Sequence, residues 1–221
     1  MTTLEYYVEQ LSASVCLPID TARIPDFKEL IAWNGFREHP KSKKHALLNH
    51  SGWDFAAYFN QQDEVVLGLP EETVVHAVGD GRITYEHITY RLQREGIKHY
   101  MGGINLHPRD CPEGFFIHYG HITPLVDEGV SVRKGQPIAT LYKRPGNQEG
   151  ELVHLHLEVG EINESEVQTI DPILLFPQLS SLPQAQPQGE PRFRVSGKEY
   201  VTRYAHFEAL VVNGFTVKTK R

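Results

Sequence analysis

Val153-His154-Leu155-His156-Leu157-Glu158-Val159 alternates apolar and polar residues without a break. Side chains along an extended strand point to opposite faces in turn. Val153, Leu155, Leu157 and Val159 therefore share one face, and His154, His156 and Glu158 share the other. A period of two with one apolar face marks a half-buried strand. The same texture extends outward from about Trp53, in short β-rich runs over residues 73–78, 82–85, 115–121, 138–142 and 152–159. Turns at Gly79-Asp80-Gly81, Gly129, Gly135 and Gly146 separate them. The expected fold is mainly β, a many-stranded core with tight turns.

The flanks read differently. Leu4, Tyr7 and Leu11 fall on one side of a helix over residues 4–11, and residues 27–33 repeat that spacing after Pro25-Asp26, so short N-terminal helices are expected over residues 1–34. The β-domain then occupies residues 35–176. Residues 177–191 contain four prolines and four glutamines and read as a linker. Alternation in residues 200–204 and 209–212 makes residues 192–221 a β extension that completes the core after the linker, since so short a piece seldom folds alone.

With 221 residues, 40% hydrophobic and 23% charged, the chain has a globular composition, and its net charge of -6 argues against a nucleic-acid partner. The short basic runs at residues 41–44 and 218–221 read as solvated loop and tail. Cys16 and Cys111 are too few for a thiolate zinc site or a disulfide framework, and both read as free. No apolar run approaches the roughly 18 residues that a membrane span requires. Residues 1–20 carry Glu5 and Glu9 instead of a basic segment followed by an apolar one, so no leader is expected there.

Twelve histidines are present, and their spacing is more informative than their number. In His50-Ser51-Gly52-Trp53-Asp54-Phe55-Ala56-Ala57 an extended chain places His50, Gly52 and Asp54 on one side, with Gly52 expected to leave open space between the other two. Two histidines and one carboxylate make a three-ligand zinc set with a position open for water, whereas structural zinc sites are closed by four protein ligands. A further histidine stands in Tyr119-Gly120-His121-Ile122, at the end of the apolar run Phe115-Phe116-Ile117.

In chain order these motifs resemble the lysostaphin-type (LytM-like) zinc metallopeptidases, which cut peptide bonds of bacterial peptidoglycan. Gly35-Phe36-Arg37 is similar to the family's first motif, His50-x-x-x-Asp54 to its first metal motif, and Val78-Gly79-Asp80-Gly81-Arg82-Ile83 to the strand and turn that follow. Tyr119-Gly120-His121-Ile122 is similar to its Tyr-x-His-Leu segment, His154-Leu155-His156 to its His-x-His motif, and Asp171-Pro172 to its closing turn. The resemblance implies a compact antiparallel β-sheet domain with the site in a groove on one sheet, that His50, Asp54 and His156 bind Zn2+, and that His154 and His121 are the catalytic histidines. His154 is then the general base and His121 its orienting or oxyanion-stabilising partner, two roles open to exchange. Arg37 and Tyr119 are the expected substrate-binding residues, and the partner is peptidoglycan or another peptide.

Two stretches depart from the family's pattern. Residues 58–69 look like an insertion after the first metal motif, and residues 86–113, which include His107, are long for the segment before His121. Both are positioned to wall or occlude a groove, since loops that frame a β scaffold commonly set specificity. The N-terminal helices, lying ahead of Arg37, are a candidate cover for the same groove. The chief alternatives are an inactive binding or regulatory relative and a zinc peptidase acting on a peptide outside the cell wall. Retention of all five residue types at His50, Asp54, His121, His154 and His156 argues against the first. A carrier domain of hybrid-motif type has no use for Asp54 and no evident carrier lysine.

Overall fold

The computed structural model describes residues 3–34, 52–94, 97–142, 153–163, 166–177, 185–187, 192–195, 198–201, 209–212 and 215–218. Arg37 and His50 lie outside them. A helix, α1 (Thr3–Ser12), opens the chain as expected. The second expected helix is instead a strand, β1 (Phe27–Asn34). Phe27, Leu30 and Ile31 have helical spacing, but β1 pairs with β2 (Gly52–Asn60) through register shifts, including one between Ile31 and Ala32. Leu30 and Ile31 pair with the consecutive residues Tyr58 and Ala57 with no slip between them, so they point to opposite faces; both are buried, and burial on the two faces of one strand produces the spacing that imitates a helix.

The main sheet continues through β3 (Val65–Leu67), β4 (Val74–His76), β5 (Gly81–Arg94), β6 (Ile97–Pro108) and β7 (Phe115–Pro124). It is completed by β8 (Ser131–Val132), β9 (Pro137–Leu141), β10 (Leu155–Asn163) and β11 (Glu166–Ile170). The order is β1-β2-β10-β7-β6-β5-β8, with β3 on β2, β11 on β10, and β9 joining β4 to β7. Its strand pairs are antiparallel, which fits the mainly β expectation. Residues 58–69 hold the end of β2, the turn and β3, a hairpin on the sheet, and most of residues 86–113 form the arms of the long β5–β6 hairpin, continuous with the sheet.

One face of this sheet is the core. Trp53 and Phe55 on β2, Leu155, Leu157 and Val159 on β10, Ile117 and Tyr119 on β7, Ile104 and Leu106 on β6, and Ile83 on β5 are all buried there. The N-terminal segment packs into the same core through Val8, Ile19 and Ile24, and Ile19 bridges to Val75. Helix α1 thus belongs to the apolar side and does not cover the opposite, polar face. Asp171 closes the domain, accepting the Trp53 indole N–H at 2.7 Å and the Ile173 backbone N–H at 3.0 Å, so the buried indole has its partner.

Beyond residue 177 the strands do not extend the main sheet. Within the stretch read as a linker, β12 (Ala185–Pro187) pairs with β15 (Ala209–Val212), which pairs in turn with β16 (Phe215–Lys218). A separate hairpin joins β13 (Arg192–Val195) to β14 (Lys198–Val201).

Tyr119 is fully buried, and its phenol oxygen accepts the Val78 backbone N–H at 3.0 Å. Tyr119→Phe orphans that buried donor, and chemical denaturation should show a loss of about 1–3 kcal/mol.

Candidate active site

Register places the polar residues. His156 on β10 stands opposite both Asp54 on β2 and Gly120 on β7, and Glu158 stands opposite Gly52 and His118. Residues directly opposite one another share a face, so Asp54, His156, Glu158 and His118 line the side of the sheet away from the core. Asp54 is nevertheless fully buried, and a buried carboxylate requires a compensating partner. His156 supplies it: Nδ1 lies 2.8 Å from Asp54 Oδ1, and Nε2 lies 2.6 Å from Glu158 Oε1. Burial alone favours the neutral ring, but the hydrogen bonds to Asp54 and Glu158 outweigh it and push the His156 pKa up to about 9.

His154 immediately precedes β10 and is 2% exposed, with Nε2 3.8 Å from Asp54 Oδ1. His121 reaches the same place by another route. Simple alternation from Ile117 and Tyr119 would send it into the core, and Ile122 would then face the groove. The register between β6 and β7 slips at this point, since Gly103 pairs with Gly120 while Gly102 pairs with Ile122, and His121 takes φ +61°. This bulge returns Ile122 to the core and brings the His121 ring to 4.5 Å from that of His154 and 6.1 Å from that of His156. A non-glycine residue at positive φ is uncommon and strained backbone, and at His121 it falls where side chains converge.

The structure therefore brings together Asp54, His121, His154 and His156. It does not bring Tyr119 to that polar face, because the side chain lies on the core face. His107 is also committed elsewhere, with Nε2 2.8 Å from Thr84 Oγ1 and Nδ1 3.0 Å from the Phe115 carbonyl. Nor is there open space at Gly52, where a Cβ would stand 2.1 Å from the Leu157 carbonyl oxygen and 2.9 Å from Glu158 Cγ. That glycine permits close approach of β2 to β10.

Among the described residues no group of three or more His, Cys, Asp and Glu is arranged as a metal cluster. Two members of the expected set do face each other, Asp54 Oδ1 and His156 Nδ1. An oxygen and an imidazole nitrogen are donor types suited to zinc. Glu158 on the far nitrogen of His156 matches the carboxylate–histidine arrangement that orients a ligating ring. The donor chemistry fits the ion.

His118, Asn105 and Glu86 were missed in the sequence. His118 Nδ1 lies 2.8 Å from Asn105 Oδ1 and 3.2 Å from Glu86 Oε2, and Asn105 Nδ2 donates to Glu86 Oε2 at 3.0 Å. Alternation in 115–121 already places His118 beside Gly120, but its partners depend on the β5–β6–β7 register.

No protein-family model matches the chain, and no curated protein matches it. Among solved structures, it is similar to the catalytic domain of the antimicrobial peptidase lysostaphin from Staphylococcus simulans, at 20% identity over 74% of this chain and 99% of that one, with a TM-score of 0.41. It is also similar to the catalytic domain of the prophage-encoded M23 protein EnpA from Enterococcus faecalis, at 17% identity over 68% of this chain and 95% of that one, with a TM-score of 0.40. A lysostaphin solution structure matches at 20% identity and a TM-score of 0.44 over 75% of this chain, which spans 58% of that chain's length.

Raising the His156 pKa from its ordinary 6.5 to about 9 means that the folded, metal-free protein holds a proton that the unfolded chain releases. The stabilisation is complete below about pH 6.5 and is lost as the pH rises through about 9. Denaturation of chelator-treated protein across that window should show the decline, and His156→Gln should flatten it.

Proposed function

We propose that the chain is a zinc-dependent endopeptidase that hydrolyses peptide bonds of peptidoglycan. The observation that carries this reading is the convergence of Asp54, His156, His154 and His121 on one polar face, the last of them through a strained bulge. His50, from the motif His50-x-x-x-Asp54, is assigned as the third ligand beside Asp54 and His156. A zinc ion held by these three residues would supply Lewis-acid polarisation of the scissile carbonyl and a lowered pKa for attacking water.

The remaining work falls to the histidines. His154 takes a proton from the water that adds to the carbonyl carbon and passes it to the leaving nitrogen as the C–N bond breaks. His121, its ring 4.5 Å from that of His154, donates an N–H to the oxygen on which negative charge develops. Glu158 holds the ring of His156 through Nε2 and so fixes the direction of Nδ1. The amide is cleaved without a covalent enzyme intermediate. Arg37 is assigned to substrate contact from its motif alone.

Metal analysis and digestion of purified peptidoglycan test the reading together. Wild-type protein should carry about one zinc and release soluble muropeptides, and His156→Ala should lose both. His154→Ala should keep its zinc while kcat falls by about 10²–10⁴, the usual contribution of a general base. Zinc-loaded wild type that digests no peptidoglycan but cleaves other peptides would move the substrate outside the cell wall; inertness towards both would favour a binding module.

A further inference from the structure

We infer that His118 is a substrate-binding residue of this polar face, accepting a peptide N–H at Nε2, with Asn105 and Glu86 as the positioning residues that aim it. The inference rests on the peptidase reading and adds a contact to it. Its first support is the assignment of protons. Asn105 Nδ2 donates to Glu86 Oε2 at 3.0 Å, which settles the orientation of the amide and turns Asn105 Oδ1 towards His118 Nδ1 at 2.8 Å. Glu86 Oε2 lies 3.2 Å from the same nitrogen. Nδ1 therefore faces two acceptors and carries the hydrogen. In the neutral ring Nε2 is then the acceptor.

The second support is the space around the ring. His118 lies over Gly103, where a Cβ would come within 2.1 Å of the imidazole, so only glycine admits this orientation. At Gly120 a Cβ would stand 3.3 Å from His118 Nε2 and 3.2 Å from His156 Cβ. Gly120 thus separates the two rings, whose centroids are 6.4 Å apart, and presents bare backbone between them. A peptide lying across Gly120 passes His156 on one side and the His118 acceptor on the other. Peptide substrates carry N–H donors at regular intervals, and a fixed acceptor beside the reacting centre sets their register.

Steady-state digestion of peptidoglycan by zinc-loaded protein tests this, with zinc content and thermal unfolding measured alongside. His118→Ala should raise KM by about 3- to 10-fold, with kcat within about twofold of wild type and zinc content unchanged, as expected for one lost hydrogen bond to substrate. His118→Gln, which keeps an acceptor at similar reach, should restore most of the loss. Gly103→Ala, which displaces the ring without changing its chemistry, should raise KM in the same way. An unchanged KM in His118→Ala, or loss of zinc or folding in His118→Gln, would overturn the assignment. Failure of wild type to digest would instead overturn the peptidase reading, and the His118 contact with it.

Discussion

A fully buried carboxylate is the constraint around which this polar face is arranged. Asp54 sits in the middle of β2, flanked by the core residues Trp53 and Phe55, and its charge is sustained by the ring of His156 across the β2–β10 pair. That ring is held in turn by Glu158 on its own strand. Removing either partner of such a pair leaves the other uncompensated in a low dielectric, which costs more than the pair contributes. The register between β2 and β10 is accordingly pinned from both sides, by the apolar face below and the charged contact above. A slip of one residue would bury His156 and expose Leu157.

The same economy of placement governs β7. Its apolar residues Ile117, Tyr119 and Ile122 do not follow strict alternation, and the bulge at His121 reconciles them. The extra residue preserves the core on both sides of the irregularity and redirects one histidine to the polar face. Tyr119 helps to hold this arrangement through its bond to the Val78 backbone, tying β7 to the segment that follows β4. Nearby residues of one motif are thus sent to opposite faces, with Tyr119 beneath the sheet and His121 above it.

Much of the site was legible in the strand pattern. Residues 153–159 announce their two faces through alternation alone, and the motif order brought Asp54 into the same set before any pairing was known. Alternation is a local property and survives reading one residue at a time. Register across the sheet is not local. The ladder from His118 through Asn105 to Glu86 joins three strands, and no spacing within any one of them indicates that these residues meet. Phe27, Leu30 and Ile31 misled for a related reason, because a strand buried on both faces carries adjacent apolar residues and so reproduces helical spacing over a few positions.

The sequence by itself determined the mainly β architecture, the apolar and polar faces of β10, and the residue types available for metal and proton chemistry. These follow from side-chain periodicity and donor identity, which are fixed by the chain. Only the tertiary structure decided that Tyr119 is a core residue, that His121 leaves the core face for the groove, that Gly52 is closed by β10, and that His118 stands beside His156. Each of these depends on where register slips and how closely neighbouring backbones approach, quantities set by packing whole strands against one another.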